Sequence, residues 1–288
     1  MARQPYIPRI QHRLLVARLK QLREDHNLSP TELAAKSKIN ATQISRLESL
    51  TRPPVPSQVV ALCRFYKLDE RTTSELEALA APVKGDNDSW SRYDLETGTA
   101  KYLTFESEAK SVATFQAQLI PGLLQTELYA TAVVSSLRRY FSADQISQTV
   151  SARMERRKNL TPPRSLEFRA VMDEPVINRV LGGVKGMQQQ LRHLLAAGDL
   201  PNVTVQILPM DVGPHPGLDG SFSIFTFGQA LLDDFVYVED QVGQAFDDQE
   251  DIVRRCKEKF ELLSKLAAPE DESRAIIERR LDALARKS

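Results

Sequence analysis

Of the side chains that commonly carry chemistry, the four histidines (His12, His26, His193 and His215) are scattered along the chain. None lies in a metal or nucleophile motif. There is no His-Glu-x-x-His, no Gly-x-Ser-x-Gly, no Gly-rich phosphate loop and no Cys-x-x-Cys, so the sequence points away from an enzyme and from any metal or cofactor. The two cysteines, Cys63 and Cys256, cannot build a disulfide framework or a Cys-rich zinc site. Arg255 and Lys257 flank Cys256 and are expected to lower its thiol pKa, while Cys63 reads as a core thiol. Asp247, Asp248, Glu250 and Asp251 lack the spacing of an EF-hand and suit the first turn of a helix. His215 sits in the loop Gly213–Gly220 near Asp211 and Asp219. It has the type of a base or metal ligand, yet the plainer expectation is a hydrogen bond within a tight connection. His215 and Asp219, with the aromatic Trp90 and Tyr93, are kept as candidate contacts for a small-molecule effector or a partner protein.

Charge is the stronger signal. The chain has 288 residues with 38 basic and 38 acidic side chains, but they are unevenly spread. Residues 1–68 carry a net +8 and the remainder −8, as in a basic module that meets a polyanion fused to an acidic domain. No apolar run approaches the ~18–20 residues that span a bilayer. Met1-Ala2-Arg3-Gln4-Pro5 has no signal-peptide core, so a cytoplasmic location and no membrane partner are expected.

The elements that would position these groups begin with Leu15, Leu19 and Leu22, spaced for an amphipathic helix between Arg13 and His26. Ser29, Pro30 and Glu32 form a capping-box start for a second helix, Pro30 to about Ser37. Asn40 can cap a third, Ala41 to Glu48, with Ile44 and Leu47 inward. Ser57 is expected to cap a fourth, carrying Val60, Leu62, Cys63, Tyr66 and Leu68, and Arg71 to Ala81 reads as a fifth. Five short helices predict a compact bundle over 13–82.

The run Leu28-Ser29-x-x-Glu32-Leu33-Ala34 … Ile39-Asn40 … Ile44-Ser45-Arg46-Leu47-Glu48 … Arg52-x-Pro54 resembles the helix-turn-helix of Xre-type, Cro/phage-repressor-like regulators. That resemblance implies a double-stranded DNA operator, with the third helix in the major groove. Carried over by position, Ala41, Thr42 and Arg46 face bases, Gln43 lies at base edges or the groove wall, and Ser45 lies by the phosphates. Arg46 can fork onto guanine O6 and N7. Phosphate contacts are expected from Ser29, Thr31, Lys36, Lys38, Arg52, Arg13 and Arg18. Two departures stand out. Pro30 replaces the Gln that usually clamps a phosphate, and Lys38 occupies the turn usually given to glycine. Residues 1–12 form a basic arm that could reach a minor groove or stay disordered.

Pro82 to Ser89 is polar with Pro and Gly, so 83–100 reads as a linker with an aromatic cluster (Trp90, Tyr93, Tyr102, Phe105) packing onto the next domain. Over 101–288 helical patterns fall at 106–118, 122–139, 143–159, 186–197, 247–267 and 270–286, and strand-like runs at 166–172, 203–208, 221–227 and 235–238. The expected class is α+β overall, an all-α bundle followed by a small, mainly antiparallel sheet flanked by helices.

Ile120-Pro121-Gly122-Leu123-Leu124-Gln125-Thr126 … Tyr129-Ala130, Pro201 to Pro209 and His215-Pro216-Gly217 … Gly220-x-Phe222 resemble an actinobacterial domain of uncharacterised function. It follows Xre-type modules in Streptomyces-like regulators, some antitoxin-like and paired with a small partner protein. The resemblance implies a transcriptional regulator whose C-terminal domain dimerises, senses an effector or holds a partner. The alternative is an antitoxin-like protein whose main task is partner binding, with autoregulatory DNA binding. A homodimer is expected because two half-sites multiply discrimination, through Leu262, Leu263, Leu266, Ile276, Ile277, Leu281 and Leu284, unless those residues cover the sheet.

Overall fold

The computed structural model describes residues 6–81, 90, 93, 95–228, 232–240 and 243–286. The chain divides into two compact units, the first built on the helices up to residue 81 and the second on the chain from Trp90.

In the first unit five helices follow in order: α1 (Ile10–Asp25), α2 (Pro30–Ser37), α3 (Ala41–Glu48), α4 (Pro56–Phe65) and α5 (Glu70–Ala80). Leu15, Leu19, Leu33, Ile44, Val59, Leu62 and Leu76 close one core drawn from all five. Two starts differ from expectation. α1 begins at Ile10, so the last residues of the expected arm are helical, and His12 is buried with its ring bonded to Tyr6. The first five residues of the arm lie outside the described residues. α4 is capped at Val55 without a side-chain bond, and Pro56 supplies the fixed φ of a first turn in place of the expected Ser57 cap. Val59 rather than Val60 therefore points inward.

The second unit runs α6 (Thr97–Glu108), β1 (Ser111–Gln116), α7 (Glu127–Leu137), α8 (Ala143–Arg156), β2 (Glu167–Asp173), α9 (Pro175–Asn178), α10 (Gly183–Gly198), β3 (Val203–Leu208), β4 (Phe222–Thr226), β5 (Phe235–Glu239), β6 (Gln244–Asp247), α11 (Glu250–Leu266) and α12 (Glu270–Ala285). Thr97 to Ala100, expected in the linker, open α6; residues 82–89, 91, 92 and 94 of that stretch lie outside the described residues. The strands form one sheet in the order β3-β2-β1-β4-β5-β6. The expected antiparallel pairing is found at β1–β4, β4–β5 and β5–β6, while β1–β2 and β2–β3 are parallel, crossing over through helices. The helix expected over 106–118 is overturned: α6 ends at Glu108 and the chain becomes the central strand β1. β6 was not anticipated; at four residues it is too short to show a period.

Alternation sorts the sheet's two faces. Phe115, Ile224 and Val236 pack under Phe260 and Leu263 of α11. Phe225 and Tyr237 turn to the other face, where the Tyr102 ring of α6 meets them at 5.2 and 4.7 Å between centroids. The β3 edge is closed by the α11–α12 corner: Ser273 Oγ accepts from Ile207 N at 2.9 Å, and Ala268 N donates to Ile207 O at 2.9 Å. No helix among the described residues is long and apolar enough to cross a membrane.

Candidate nucleic-acid interface

α2 and α3 are joined by a turn in which Lys38 adopts φ 59° and ψ 18°, the left-handed conformation that glycine takes without strain. Asn40 Oδ1 then accepts from Thr42 N at 2.8 Å and starts α3. Ile44 and Leu47 are buried, and Ala41, Thr42, Gln43, Ser45 and Arg46 are all exposed. The helix therefore offers one polar face bearing a cation, fixed from beneath by two apolar anchors.

A brace missed from sequence sets its angle. Arg23, in the last turn of α1, donates Nε to Glu48 Oε1 and Nη1 to Leu28 O, each at 2.8 Å. With side chains only 12% and 15% exposed, Arg23 and Glu48 tie the end of α3 to the end of α1. A charge at each helix terminus was the available signal, but nothing in the spacing linked residues so far apart.

The expected phosphate ligands are unevenly placed. Thr31, Lys36, Lys38 and Arg52 are exposed, and Ser45 lies on the exposed face of α3. Arg13 and Arg18 are half-buried, and Arg18 Nη1 donates to Gln21 Oε1 at 2.8 Å. Ser29 completes the capping box: its hydroxyl donates to Glu32 Oε2 at 2.7 Å and accepts from Glu32 N at 3.2 Å. These bonds from the Ser29 side chain and backbone hold the Glu32 carboxyl below its usual range. The Ser29 proton is thus engaged, and Thr31 is the exposed hydroxyl at that end of α2.

The other expected contacts do not gather into one place. Trp90 lies against Tyr93 with centroids 6.4 Å apart, and Tyr93 donates to Glu155 of α8 at 2.7 Å. His215 and Asp219 are on the opposite face of the sheet. The His215 ring packs edge-on to Phe115, and Nδ1 is buried with no hydrogen-bond partner, contrary to the expected bond within its loop. Asp219 pairs with Lys259 of α11 at 2.7 Å, and that ammonium holds its carboxyl below the usual range. Cys256 is also corrected. Burial pushes its thiol up and outweighs Lys259 and Arg255.

Residues 99–279, more than half of the chain, match the family described as a domain of unknown function, DUF5753. The chain belongs to that family. Residues 14–76 match a helix-turn-helix domain, which spans α2, the Lys38 turn and α3. No curated protein and no solved structure matches the chain. In this DUF5753 protein the match begins in the first turn of α6 and ends within α12, so it covers the sheet and the helices on both its faces.

Proposed function

We propose that the protein is a sequence-specific transcriptional regulator of the Xre type, whose α3 enters the major groove and whose DUF5753 unit dimerises and senses an effector or partner. The observation that carries this reading is the bared face of α3 within the helix-turn-helix match, with Arg46 among its exposed residues. Arg46 reads guanine, Thr42, Gln43 and Ala41 meet neighbouring base edges, and Lys36, Lys38, Arg52, Thr31 and Ser45 grip phosphates. Arg13 and Arg18 stand at the margin of that set.

One eight-residue helix reads few bases, and a second copy supplies the other half-site. Of the apolar residues expected at a dimer interface, Leu263, Ile277 and Leu284 are spent in the unit's own core, while Leu262 and Leu266 on α11 stay exposed at i,i+4 spacing. Selection from randomised duplex oligonucleotides by the full chain tests the reading. Enrichment of a two-fold symmetric site supports it, and no enrichment at modest ionic strength sinks it. A stoichiometric small protein co-purifying at high salt would instead favour the antitoxin-like reading.

A further inference from the structure

Alternation along β3 turns Val203, Val205 and Ile207, all buried, to the face of the sheet opposite α11. α10 and α12 cover that face beside β3, but they do not close on it completely. A cavity of about 170 Å³ remains, floored by Leu194 of α10, Val205 of β3 and Ile277 of α12. None of the three is more than 6% exposed. The walls are pinned, which keeps the gap from collapsing. Ser273 Oγ donates to Ala268 O and accepts from Ile207 N, each at 2.9 Å, which fixes the start of α12 on the strand. Arg274 Nη1 donates to Asp199 Oδ1 at 2.9 Å and ties α12 to the end of α10. An unfilled apolar cavity costs stability in proportion to its volume, and one of about 150 Å³ accepts a benzene-sized molecule.

The lip of the cavity is charged. Glu270 and Asp271 of the first turn of α12 line it, and so does Arg274 one turn on. Arg274 is already shared between two carboxylates, Asp199 at 2.9 Å and Glu278 at 3.2 Å. Glu270 and Asp271 make no ion pair among the described residues. Acids suit the start of any helix, but the helix end supplies only about half a positive charge. Two full negative charges outweigh it, so the opening favours a cation and repels an anion. The floor adds a second requirement. Its three side chains offer no hydrogen bond, so a polar body placed there would lose its water without replacement.

We propose that this cavity binds a small apolar amine in its protonated form. A ring or branched chain of about six heavy atoms fills the floor, and the ammonium stands at the lip beside Glu270 and Asp271. Carboxylates are turned away by the same two acids, and sugars by the apolar floor. The site deepens the effector role proposed above. Its regulatory meaning rests on that reading; the binding itself does not.

Thermal unfolding of the full chain is measured with benzylamine and isopentylamine, each at about 10 mM and about pH 7.5, against benzyl alcohol, isopentanol, ammonium chloride and sodium chloride at matched ionic strength. At least one amine is expected to raise Tm by about 2 °C or more over sodium chloride. Its alcohol should raise Tm less, and ammonium chloride, which has the charge without the apolar body, should leave it unchanged. Gly198, the last residue of α10, lies at the mouth, and a Cβ there meets nothing within 4 Å. Gly198→Leu is therefore expected to fold, to obstruct the cavity and to lose the amine response. Glu270→Gln combined with Asp271→Asn should bring the amine down to the level of its alcohol, and serves if the Leu variant does not fold. No amine effect, an alcohol effect as large as the amine's, or an amine response that survives both sets of substitutions overturns the site. DNA affinity is then read with the more stabilising amine. A Tm rise abolished by these substitutions, with DNA affinity unchanged by the amine, leaves the site standing and removes its sensing role.

Discussion

Arg46 and Lys36 are both exposed cations of the first unit, yet they belong to different energetic classes. A guanidinium forked on a base edge discriminates among sequences; an ammonium beside a phosphate does not. Arg46→Ala should weaken specific binding by about 1–3 kcal/mol and relax the preference at one position, measured by titration against the selected site and its single-base variants. Lys36→Ala should weaken binding to every sequence and make the slope of log K against log salt shallower by about one unit. Lys38 adds a second effect, because its left-handed backbone is strained. Lys38→Gly should raise stability by up to about 1 kcal/mol in urea titration while lowering DNA affinity uniformly.

At the scale of elements, α3 is placed by two kinds of restraint: apolar burial of Ile44 and Leu47, and the Arg23–Glu48 brace. Glu48→Ala takes from a nearly enclosed guanidinium the closer of its two carboxylates, leaving Glu24 at 3.5 Å, and should cost about 1–2 kcal/mol of stability. Specific binding should fall with it, with little change in salt slope because no phosphate contact is lost. The capped starts of α2 and α3 were legible from Ser29, Glu32 and Asn40, since capping is local chemistry. β1 was not. Ser111 to Gln116 has no Gly or Pro to separate it from α6, and Thr114 and Gln116 join Ser223 in a polar layer on the α6 face of the sheet, which hides the apolar alternation of a core strand. The same polar layer explains why nothing in the spacing along α8 marked out Arg156 as buried. Its burial depends on a helix and a loop brought from elsewhere in the chain.

At the scale of the molecule, both units carry a histidine held neutral by burial. Burial, with Arg157 at 3.3 Å, pushes His193 down from 6.5 to about 4. Burial also lowers His12, opposed by the Ala81 carbonyl. In each case the unfolded chain takes up the proton first as pH falls. Stability from His193 is therefore complete above about pH 6.5 and drains away toward pH 4, and that from His12 is lost in the same direction. Urea midpoints taken from pH 7.5 downward should show this decline in the second unit, and His193→Gln should flatten it. The helix-turn-helix was legible in the first unit because its helices form one continuous stretch of sequence. The cavity of the second unit exists only once α10 and α12 are set on β3.

The sealed β3 margin has a consequence for growth. A strand from another molecule finds the backbone at Ile207 already paired, so addition along the β3 margin is blocked at that residue. Any register that needs those two groups must first displace the α11–α12 corner.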